Sequence, residues 1–325
     1  MSPIKEPRRY AELADPQVRP RYTGLATFFR LPATDDLTCV DIGVIGVPFD
    51  GGVTNRPGAR HGPREVRNQS SLLRRINPTT GVAPFDQARV ADLGDAWIEA
   101  PFALEGALGE IESFFRTVAG AGVTTLAVGG DHSISLPILR AVATRGPLGM
   151  VHVDAHCDTG DDYLGSRLHH GAPFRRAVEE NLLDPHRVIQ IGIRGTLNDP
   201  QMWRFSTESG MRVLPMDEFH DRGWQFALEE AKRVIGAGPA YLSFDIDSLD
   251  PVYAPGTGTP EAGGLTTIEA IRLLRGLTGL DFRGADLVEV SPPFDHAGLT
   301  ALHGASILFE LLCLLAAAPA RAGKG

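Results

Sequence analysis

The stretch that most constrains the fold of this chain is His152-Val-Asp-Ala-His-Cys-Asp158, which follows the apolar run Leu148-Gly-Met-Val151. Asp154, His156 and Asp158 stand at alternating positions, and alternate side chains of an extended strand share one face. We therefore expect two carboxylates and an imidazole to converge at a strand end. The like charges of the carboxylates repel one another strongly in a poorly hydrated cleft unless a cation binds there. Taken alone, this motif fits solvated strand-end residues equally well.

Two further apolar runs end in side chains of the same kind. Tyr241-Leu-Ser-Phe-Asp-Ile-Asp247 carries two aspartates two positions apart, and Leu126-Ala-Val-Gly-Gly-Asp-His132 reaches a histidine after a Gly-Gly turn. Three strand ends of this composition predict a metal site rather than a solvated surface. The predicted ligands are His132, Asp154, His156, Asp158, Asp245 and Asp247.

The composition of this ligand set indicates which metal ions it binds. Its four aspartates balance the charge of two divalent ions, which favours a dinuclear site. Ligands rich in oxygen and free of thiolate suit Mn²⁺ more than Zn²⁺, and leave Ni²⁺ or Co²⁺ possible. Cys157 alternates with the ligands and is expected to point away from them. Two adjacent ions would lower the pKa of a shared water molecule towards neutrality.

The pattern of the whole chain predicts an α/β fold. About eight apolar segments, such as residues 188–193, alternate with helical segments such as 224–235. This alternation favours a mainly parallel sheet with helices on its faces. Open doubly wound sheets and closed barrels both build sites at the carboxyl ends of strands, so the pattern alone does not separate them. Residues 1–38, polar and rich in proline, are expected to form an N-terminal arm, and 39–325 a single catalytic domain.

Composition limits the partners and the compartment. The net charge is −9 without a block of Lys or Arg, so nucleic acid is not an expected partner. Three widely spaced cysteines and a polar N-terminus predict a cytoplasmic protein. The apolar tract 299–319 contains His303 and Glu310, and charges are costly in a membrane. We expect no membrane span there, but a buried amphipathic helix or a helix packed on a neighbouring subunit.

Five ordered motifs resemble those of the ureohydrolases, the family of arginase, agmatinase and their relatives. They are Gly129-Gly-Asp-His-Ser133, Asp154-Ala-His-Cys-Asp158, Ser243-Phe-Asp-Ile-Asp-Ser-Leu-Asp-Pro251, Gly258-Thr-Pro260 and Val288-Glu-Val-Ser-Pro292. The resemblance extends from about Gly43 to the C-terminus. It implies the arginase-type three-layer α/β/α fold with an open, mainly parallel sheet. It also implies two Mn²⁺ ions and a homo-oligomer, either a trimer or a hexamer.

The resemblance also assigns roles to single residues. His132 and Asp158 would bind one metal ion, His156 and Asp247 the other, and Asp154 and Asp245 would bridge the two. His170, which begins His-Gly-Ala-Pro-Phe174, matches the catalytic histidine better than its neighbour His169 because Gly171 follows it. Glu289 matches the acid that pairs with the substrate guanidinium. The family more often has threonine at the position of Ala172.

The chemistry of guanidine hydrolysis gives these residues consistent tasks. A guanidinium carbon is resonance-stabilised, so its hydrolysis needs an activated water molecule. Glu289 could hold the cation by charge-assisted hydrogen bonds. Asp158 could carry a proton to the leaving amine, and His170 could exchange protons with solvent. The plainer alternatives are that Glu289 is an ordinary strand-end acid and His170 a helix-start residue.

The loop 159–169 lies between Asp158 and His170 and is expected to contact the tail of the substrate. It contains Asp161 and Asp162, which suit a cationic tail, and Tyr163, Ser166, Arg167 and His169, which suit an anionic one. Charge therefore leaves the choice open. The loop and its flanks resemble the guanidinopropionase and guanidinobutyrase branch, and a bulky tyrosine at 163 favours the shorter acid. We expect 3-guanidinopropionate as substrate, contacted by Glu289, Tyr163 and Arg167, with 4-guanidinobutyrate or agmatine as alternatives.

Two other functions stay open at this point. Another two-metal hydrolase, such as a phosphoesterase, would need cationic residues for the phosphate, and Arg56 and Arg60 lie in a loop that the pattern does not place. A non-catalytic metal-binding or assembly protein on the same fold would need neither His170 nor Glu289.

Overall fold

The computed structural model describes residues 20–199 and 201–319, and its centre is one eight-stranded sheet in which every pairing is parallel. The strands are β1 (Ile42–Val47), β2 (Val90–Asp95), β3 (Thr124–Gly129), β4 (Leu148–Val153), β5 (Leu183–Ile193), β6 (Arg212–Pro215), β7 (Pro239–Asp245) and β8 (Asp281–Val288). The α-helices of the described part are α1 (Gly62–Ser70), α2 (Pro84–Gln87), α3 (Leu104–Gly120), α4 (Ser135–Val142), α5 (Pro173–Glu179), α6 (Arg204–Ser209), α7 (Met216–Ile235), α8 (Thr267–Gly276) and α9 (Leu299–Ala316).

The strand order β2-β1-β3-β8-β7-β4-β5-β6 leaves β2 and β6 as edges, so the sheet is open and not a barrel. Apolar side chains cover both of its faces. Leu273 of α8 and Leu311 of α9 belong to the cluster on one face, and Ile111 of α3 and Phe174 of α5 to the cluster on the other. The fold is therefore the three-layer α/β/α arrangement that the resemblance implied.

This topology brings the predicted site together. Parallel strands end at the same edge of a sheet, and sites of open α/β proteins form outside those carboxyl ends. Strands β3, β8, β7 and β4 are successive neighbours at the centre of the sheet. The motifs that follow them are separated along the chain but meet in space.

Helix α9 lies in the core. By length and composition it could cross a membrane, but 72% of it is buried inside the protein, as in the core helix of a globular protein. The prediction of a buried helix is confirmed, but the helix is not amphipathic, because residues 307–316 are buried on all sides. Its one carboxylate, Glu310, accepts hydrogen bonds from Arg275 Nη2 at 2.8 Å and from Asn77 Nδ2 at 2.7 Å.

Two elements differ in extent from the sequence prediction. Strand β5 begins at Leu183 rather than at residue 188. Helix α7 begins at Met216, and Gly223 interrupts it with φ 82° and ψ 165°, so the predicted helix 224–235 is only its second part. A left-handed glycine breaks the helical hydrogen bonding, and the turn before the break shows no clear helical period in the sequence.

The described part of the predicted N-terminal arm packs against the domain. Phe28 and Phe29 are buried, and the Phe28 N–H donates to Asp92 Oδ2 at 2.8 Å. Residues 1–19 lie outside the described residues. The division into an arm and a catalytic domain at residue 39 stays a prediction.

Candidate metal centre and active site

The chain turns sharply after each of the three strands that carry the predicted ligands. Asp154 Oδ1 accepts from the N–H of His156 at 2.6 Å, and Asp245 Oδ1 accepts from the N–H of Asp247 at 2.8 Å. Asp158 adopts a positive φ of 50°. The predicted convergence is therefore present, but its predicted cause, alternation along an extended strand, is wrong. These turns, in which an aspartate side chain binds the backbone two residues later, bring the side chains to one point.

His132 lies at the centre of one half of the cluster. Its Nδ1 is 2.9 Å from Asp158 Oδ2, 3.1 Å from Asp154 Oδ2 and 3.3 Å from Asp245 Oδ2. This nitrogen is buried and makes no hydrogen bond of acceptable geometry with the described residues. One imidazole nitrogen facing three carboxylates is an arrangement that suits a bound cation.

His156 forms the other half of the cluster. Its Nδ1 lies 3.1 Å from Asp247 Oδ2 and 3.5 Å from Asp154 Oδ1. These three residues place ligand atoms within 4.8 Å of one another. Asp154 therefore directs one oxygen at each half, the position that a bridging carboxylate needs. Asp245 directs Oδ2 at His132 and uses Oδ1 on the backbone.

The electrostatics of the buried carboxylates fit a cation. Burial and the charges of Asp247 and Asp154 raise the pKa of Asp245 well above its usual range. Burial alone would raise the pKa of Asp154 too, but the neighbouring His152 and the close contacts with His132 and His156 hold it well below its usual range. One carboxyl group is thus driven to keep a proton beside another that is stabilised as an anion. A divalent ion would replace such protons, because ligands bind metal in their deprotonated form.

A buried network fixes the orientation of His132. Asp286 accepts hydrogen bonds from Ser243 Oγ at 2.6 Å and from Tyr241 OH at 2.8 Å. The Ser243 hydroxyl hydrogen is used in this bond, so its oxygen accepts from His132 Nε2 at 2.8 Å. His132 then carries its proton on Nε2 and presents the lone pair of Nδ1 to the cluster. Metal-binding histidines are commonly oriented through their other nitrogen in this way.

His152 and Gln190 also belong to the site, and the sequence prediction missed both. The carbonyl of Cys157 can only accept, so the atom 2.6 Å from it is the amide nitrogen of Gln190. That nitrogen is also 3.1 Å from His152 Nδ1, and His152 Nε2 is 2.7 Å from Asp154 Oδ2. His152 therefore accepts at Nδ1 and donates at Nε2 to Asp154. A ring nitrogen of His152 is close enough to the ligand atoms of His132 and Asp154 to bind the same metal ion. We nevertheless interpret His152 as the residue that orients Asp154.

The role of Gln190 gives a direct prediction. Gln190→Met removes the donor to His152 and leaves the Cys157 carbonyl without its partner, so His152 no longer has a fixed tautomer. We expect metal affinity to fall roughly 10- to 100-fold, the usual effect of losing such a supporting group. Competition with a chelator of known affinity measures this. An unchanged affinity would mean that Gln190 serves packing alone.

Glu289 lies beside the cluster in a strained backbone conformation. It has a positive φ of 65°, uncommon for a residue with a side chain. Glu289 Oε1 accepts from the N–H of His132 at 2.9 Å and lies 2.9 Å from His170 Nδ1. Its other oxygen, Oε2, is buried and has no hydrogen-bond partner among the described residues. The acceptor capacity of this oxygen is therefore unused among the described residues.

His170 is held between Glu289 and Thr54. Burial alone would lower the pKa of His170, but the hydrogen bond and charge of Glu289 outweigh it and raise the pKa to about 9. Thr54 contacts Nε2 with its hydroxyl at 2.8 Å and its N–H at 3.2 Å. Because the Thr54 N–H donates to Nε2, the singly protonated imidazole carries its proton on Nδ1, towards Glu289.

Thr54 comes from the Gly/Pro/Arg loop that the sequence pattern did not place. The loop is held over the site at Gly52. The N–H of Gly52 donates to Asp131 Oδ2 at 2.7 Å, and its carbonyl accepts from the His170 N–H at 2.9 Å. The dense glycines were the only sequence signal for such a close approach.

A cleft of about 720 Å³ leads to the cluster, with His156, Asp158, His170 and Asp245 among its lining residues. Tyr163 lines it and is 46% exposed. Arg167 is not among the lining residues; it pairs instead with Asp161 at 3.3 Å and Glu179 at 2.9 Å. Of the predicted site residues, the six ligands, His170 and Glu289 are brought together, Tyr163 lies at the cleft, and Arg167 does not face it.

Cys157 was predicted to point away from the ligands. It is buried and packs with Ile193 and Val213, and it is also among the residues that line the cleft. Burial raises the pKa of its thiol to about 12.

Comparison with known proteins agrees with this geometry. The sequence profile of the arginase family matches residues 40–314. Guanidinopropionase from Pseudomonas aeruginosa is 57% identical over 93% of this chain and 95% of its own length. Guanidinobutyrase from the same organism is 48% identical over 91% and 94%. The solved structure of proclavaminate amidino hydrolase from Streptomyces clavuligerus superposes with a TM-score of 0.88 at 41% identity, covering 92% and 99%.

This chain belongs to the arginase family. The relatives to which it is similar are hydrolases that act on guanidino C–N bonds. The recognition of a ureohydrolase and of its fold from sequence motifs is confirmed.

Proposed function

We propose that this chain hydrolyses a small linear guanidino acid, with 3-guanidinopropionate preferred, to urea and the corresponding amine, β-alanine. The observation that carries the proposal is the buried Glu289 carboxylate beside the cluster, with Oε2 unpaired among the described residues. A planar cation such as guanidinium satisfies that oxygen by a charge-assisted hydrogen bond. The similarity to guanidinopropionase supports the choice of acid.

In this proposal the six predicted ligands hold two divalent ions, Mn²⁺ in preference to Ni²⁺ or Co²⁺. The support is a donor set of carboxylates and imidazoles without thiolate. Such a pair of ions, when bound, lowers the pKa of a water molecule and so makes a nucleophile available near neutral pH.

The task of Glu289 is to bind and orient the guanidinium group. Its side chain is fixed through Oε1 by the His132 N–H, so Oε2 has a defined direction. A substrate that is already oriented loses little further entropy on reaching the transition state. This saving in entropy is a large part of the available rate enhancement.

The remaining steps are addition, bond cleavage and proton transfer. The water oxygen adds to the guanidinium carbon, and the bond from that carbon to the alkyl-bearing nitrogen breaks. The oxygen becomes the carbonyl of urea and gives up both of its protons, one to the leaving nitrogen, which departs as an amine, and one to solvent. The position of Asp158 among the residues that line the cleft supports it as the group that passes the proton to the leaving nitrogen. His170 lies at the cleft and between Glu289 and Thr54, so it exchanges protons with solvent.

The charges of the loop 159–169 favour an acid over an amine as substrate tail. Asp161 pairs with arginines, including Arg176 at 2.8 Å, and Asp162 accepts from the Gly165 N–H at 3.0 Å. The charge of Asp161 is therefore already paired, and one oxygen of Asp162 is bonded to the backbone. A cationic tail such as that of agmatine gains less from them than the sequence alone suggested.

The competing functions receive less support. The loop arginine Arg60, a candidate phosphate ligand, forms a salt bridge with buried Asp50. A non-catalytic binding protein would leave the strained, buried Glu289 unexplained. For the assembly we propose a cytoplasmic homo-oligomer, a trimer or hexamer, without a nucleic-acid or membrane partner, on the grounds of composition and family resemblance.

The substrate ranking is tested by parallel kcat/KM values. We expect 3-guanidinopropionate to be best, 4-guanidinobutyrate second and agmatine poor, because a bulky ring at Tyr163, which lines the cleft, favours the shorter acid. Tyr163→Met replaces the ring with a flexible chain and should shift preference towards the longer acid by roughly tenfold, about the effect of one methylene in a pocket. Agmatine as the best substrate would overturn the ranking.

A further inference from the structure

Three arginines beside the cleft share two carboxylates. Arg167, Arg175 and Arg176 each pair with both Asp161 and Glu179, at distances between 2.8 and 3.3 Å. We call these five residues the arginine cluster. With more guanidinium groups than carboxylates, the cluster carries an excess positive charge. An added carboxylate would complete its neutralisation.

Only one of these arginines faces the cleft. Arg175 is among its lining residues, while Arg167 is not and Arg176 is buried. The guanidinium carbon of Arg175 lies 4.7 Å from the centre of the Phe205 ring, which supports one face of the group. The side chain is therefore held at the wall of the cleft rather than free in solvent.

Arg175 also retains donor capacity. Its Nε donates to Glu179 at 3.1 Å, and its Nη2 lies 3.0 Å from Asp161. Its Nη1 makes no hydrogen bond with any described residue. A guanidinium group has five N–H donors in a planar fork that matches a carboxylate.

The backbone places Arg175 near the reacting centre. The N–H of its neighbour Phe174 donates to the carbonyl of Asp158 at 3.2 Å. Since Asp158 belongs to the cluster around His132, the start of α5 lies against the site. A short guanidino acid separates its two charged ends by only a few bonds, so its carboxylate must bind close to this centre.

The other arginines that line the cleft are less suited to this task. Arg194 donates to backbone carbonyls from all three guanidinium nitrogens, among them those of Asp247 at 2.7 Å and Gly192 at 3.1 Å. Arg204 pairs with Glu208 at 2.6 Å on an exposed helix turn. The first is already bonded at every nitrogen, and the second is already neutralised.

We propose that Arg175 binds the carboxylate of the substrate, in the role that was predicted for Arg167; this inference rests on the proposed hydrolysis of a guanidino acid. The arginine cluster supplies the excess charge, the Phe205 ring holds the group, and Nη1 donates to the carboxylate. Arg175 thereby selects acids over amines and over neutral tails.

The experiment compares 3-guanidinopropionate with its neutral amide, 3-guanidinopropionamide, in the metal-loaded enzyme. We expect the wild type to favour the acid roughly 30-fold, the factor for a hydrogen bond between charged groups. Arg175→Gln should lose about that factor on the acid, mainly through KM, and change within about threefold on the amide. Arg175→Lys keeps the positive charge without the planar guanidinium fork, so its preference for the acid should fall between those of the wild type and Arg175→Gln. This variant also serves if Arg175→Gln does not fold.

Arg204→Gln is the matched control, an ion-paired arginine of the same cleft wall, and should leave the ratio of acid to amide unchanged. Equal losses on acid and amide in Arg175→Gln would overturn the inference. An acid-selective loss in Arg167→Gln, with none in Arg175→Gln, would overturn it too. Failure of the proposed function looks different, since the wild type would then release no urea from either compound.

Discussion

Asp154→Ala and Asp245→Ala are expected to abolish urea release and to lose at least one metal ion per chain. Asp154 directs one oxygen at His132 and the other at His156, so its removal affects both halves of the cluster. Asp245 lies 3.3 Å from His132 Nδ1. Without the activated water molecule the guanidinium carbon is a poor electrophile, so we expect a loss of roughly a thousandfold or more in kcat.

Elemental analysis of the purified variants measures this prediction directly. Chelation of the wild type should give the same loss of activity, and added Mn²⁺ should restore it. Glu208→Gln, which changes an exposed carboxylate of the cleft wall, controls for a general effect of removing negative charge. Two ions still bound to both alanine variants would contradict the assignment of the ligands.

Glu289→Gln is expected to reduce kcat/KM by roughly a hundredfold to a thousandfold, the range for losing one group that stabilises charge in the transition state. The amide keeps an oxygen that can accept from the His132 N–H, so the local structure should persist. Its NH₂ group, however, replaces the unpaired Oε2 and faces the substrate cation with a donor. Turnover should therefore collapse without loss of metal.

Metal content and melting temperature of Glu289→Gln should both stay near the wild-type values. A variant with kcat/KM close to that of the wild type would mean that the guanidinium group is not held by Glu289. A variant that has lost its metal would instead assign Glu289 a structural role beside His132.

The strands and the position of the site followed from periodicity and from motifs at the strand ends. Fully apolar strands such as β1 have a clear pattern because both faces are buried. Whether the sheet was open or closed did not follow, since that depends on the strand order in space. The helical turn before Gly223 was missed because a glycine in a left-handed conformation interrupts the period that identifies a helix.

Within the site, the sequence predicted which side chains converge but not what orients them. His152 precedes Asp154 by two residues, so the same period of two that identified the ligands could have included it. Gln190 carried no such signal, because its contact with His152 joins two neighbouring strands. The position of Arg167 could not be predicted, because three arginines compete for two acids and only the fold decides which one faces the cleft.

The most direct test of the account is the product stoichiometry of the metal-loaded protein with 3-guanidinopropionate. Urea and β-alanine are quantified from the same reaction, with a chelated sample as control. We expect one urea and one β-alanine for each substrate consumed, and neither product after chelation. Absence of urea from this compound, from 4-guanidinobutyrate and from agmatine, in protein that retains both metal ions, would contradict the proposed hydrolysis.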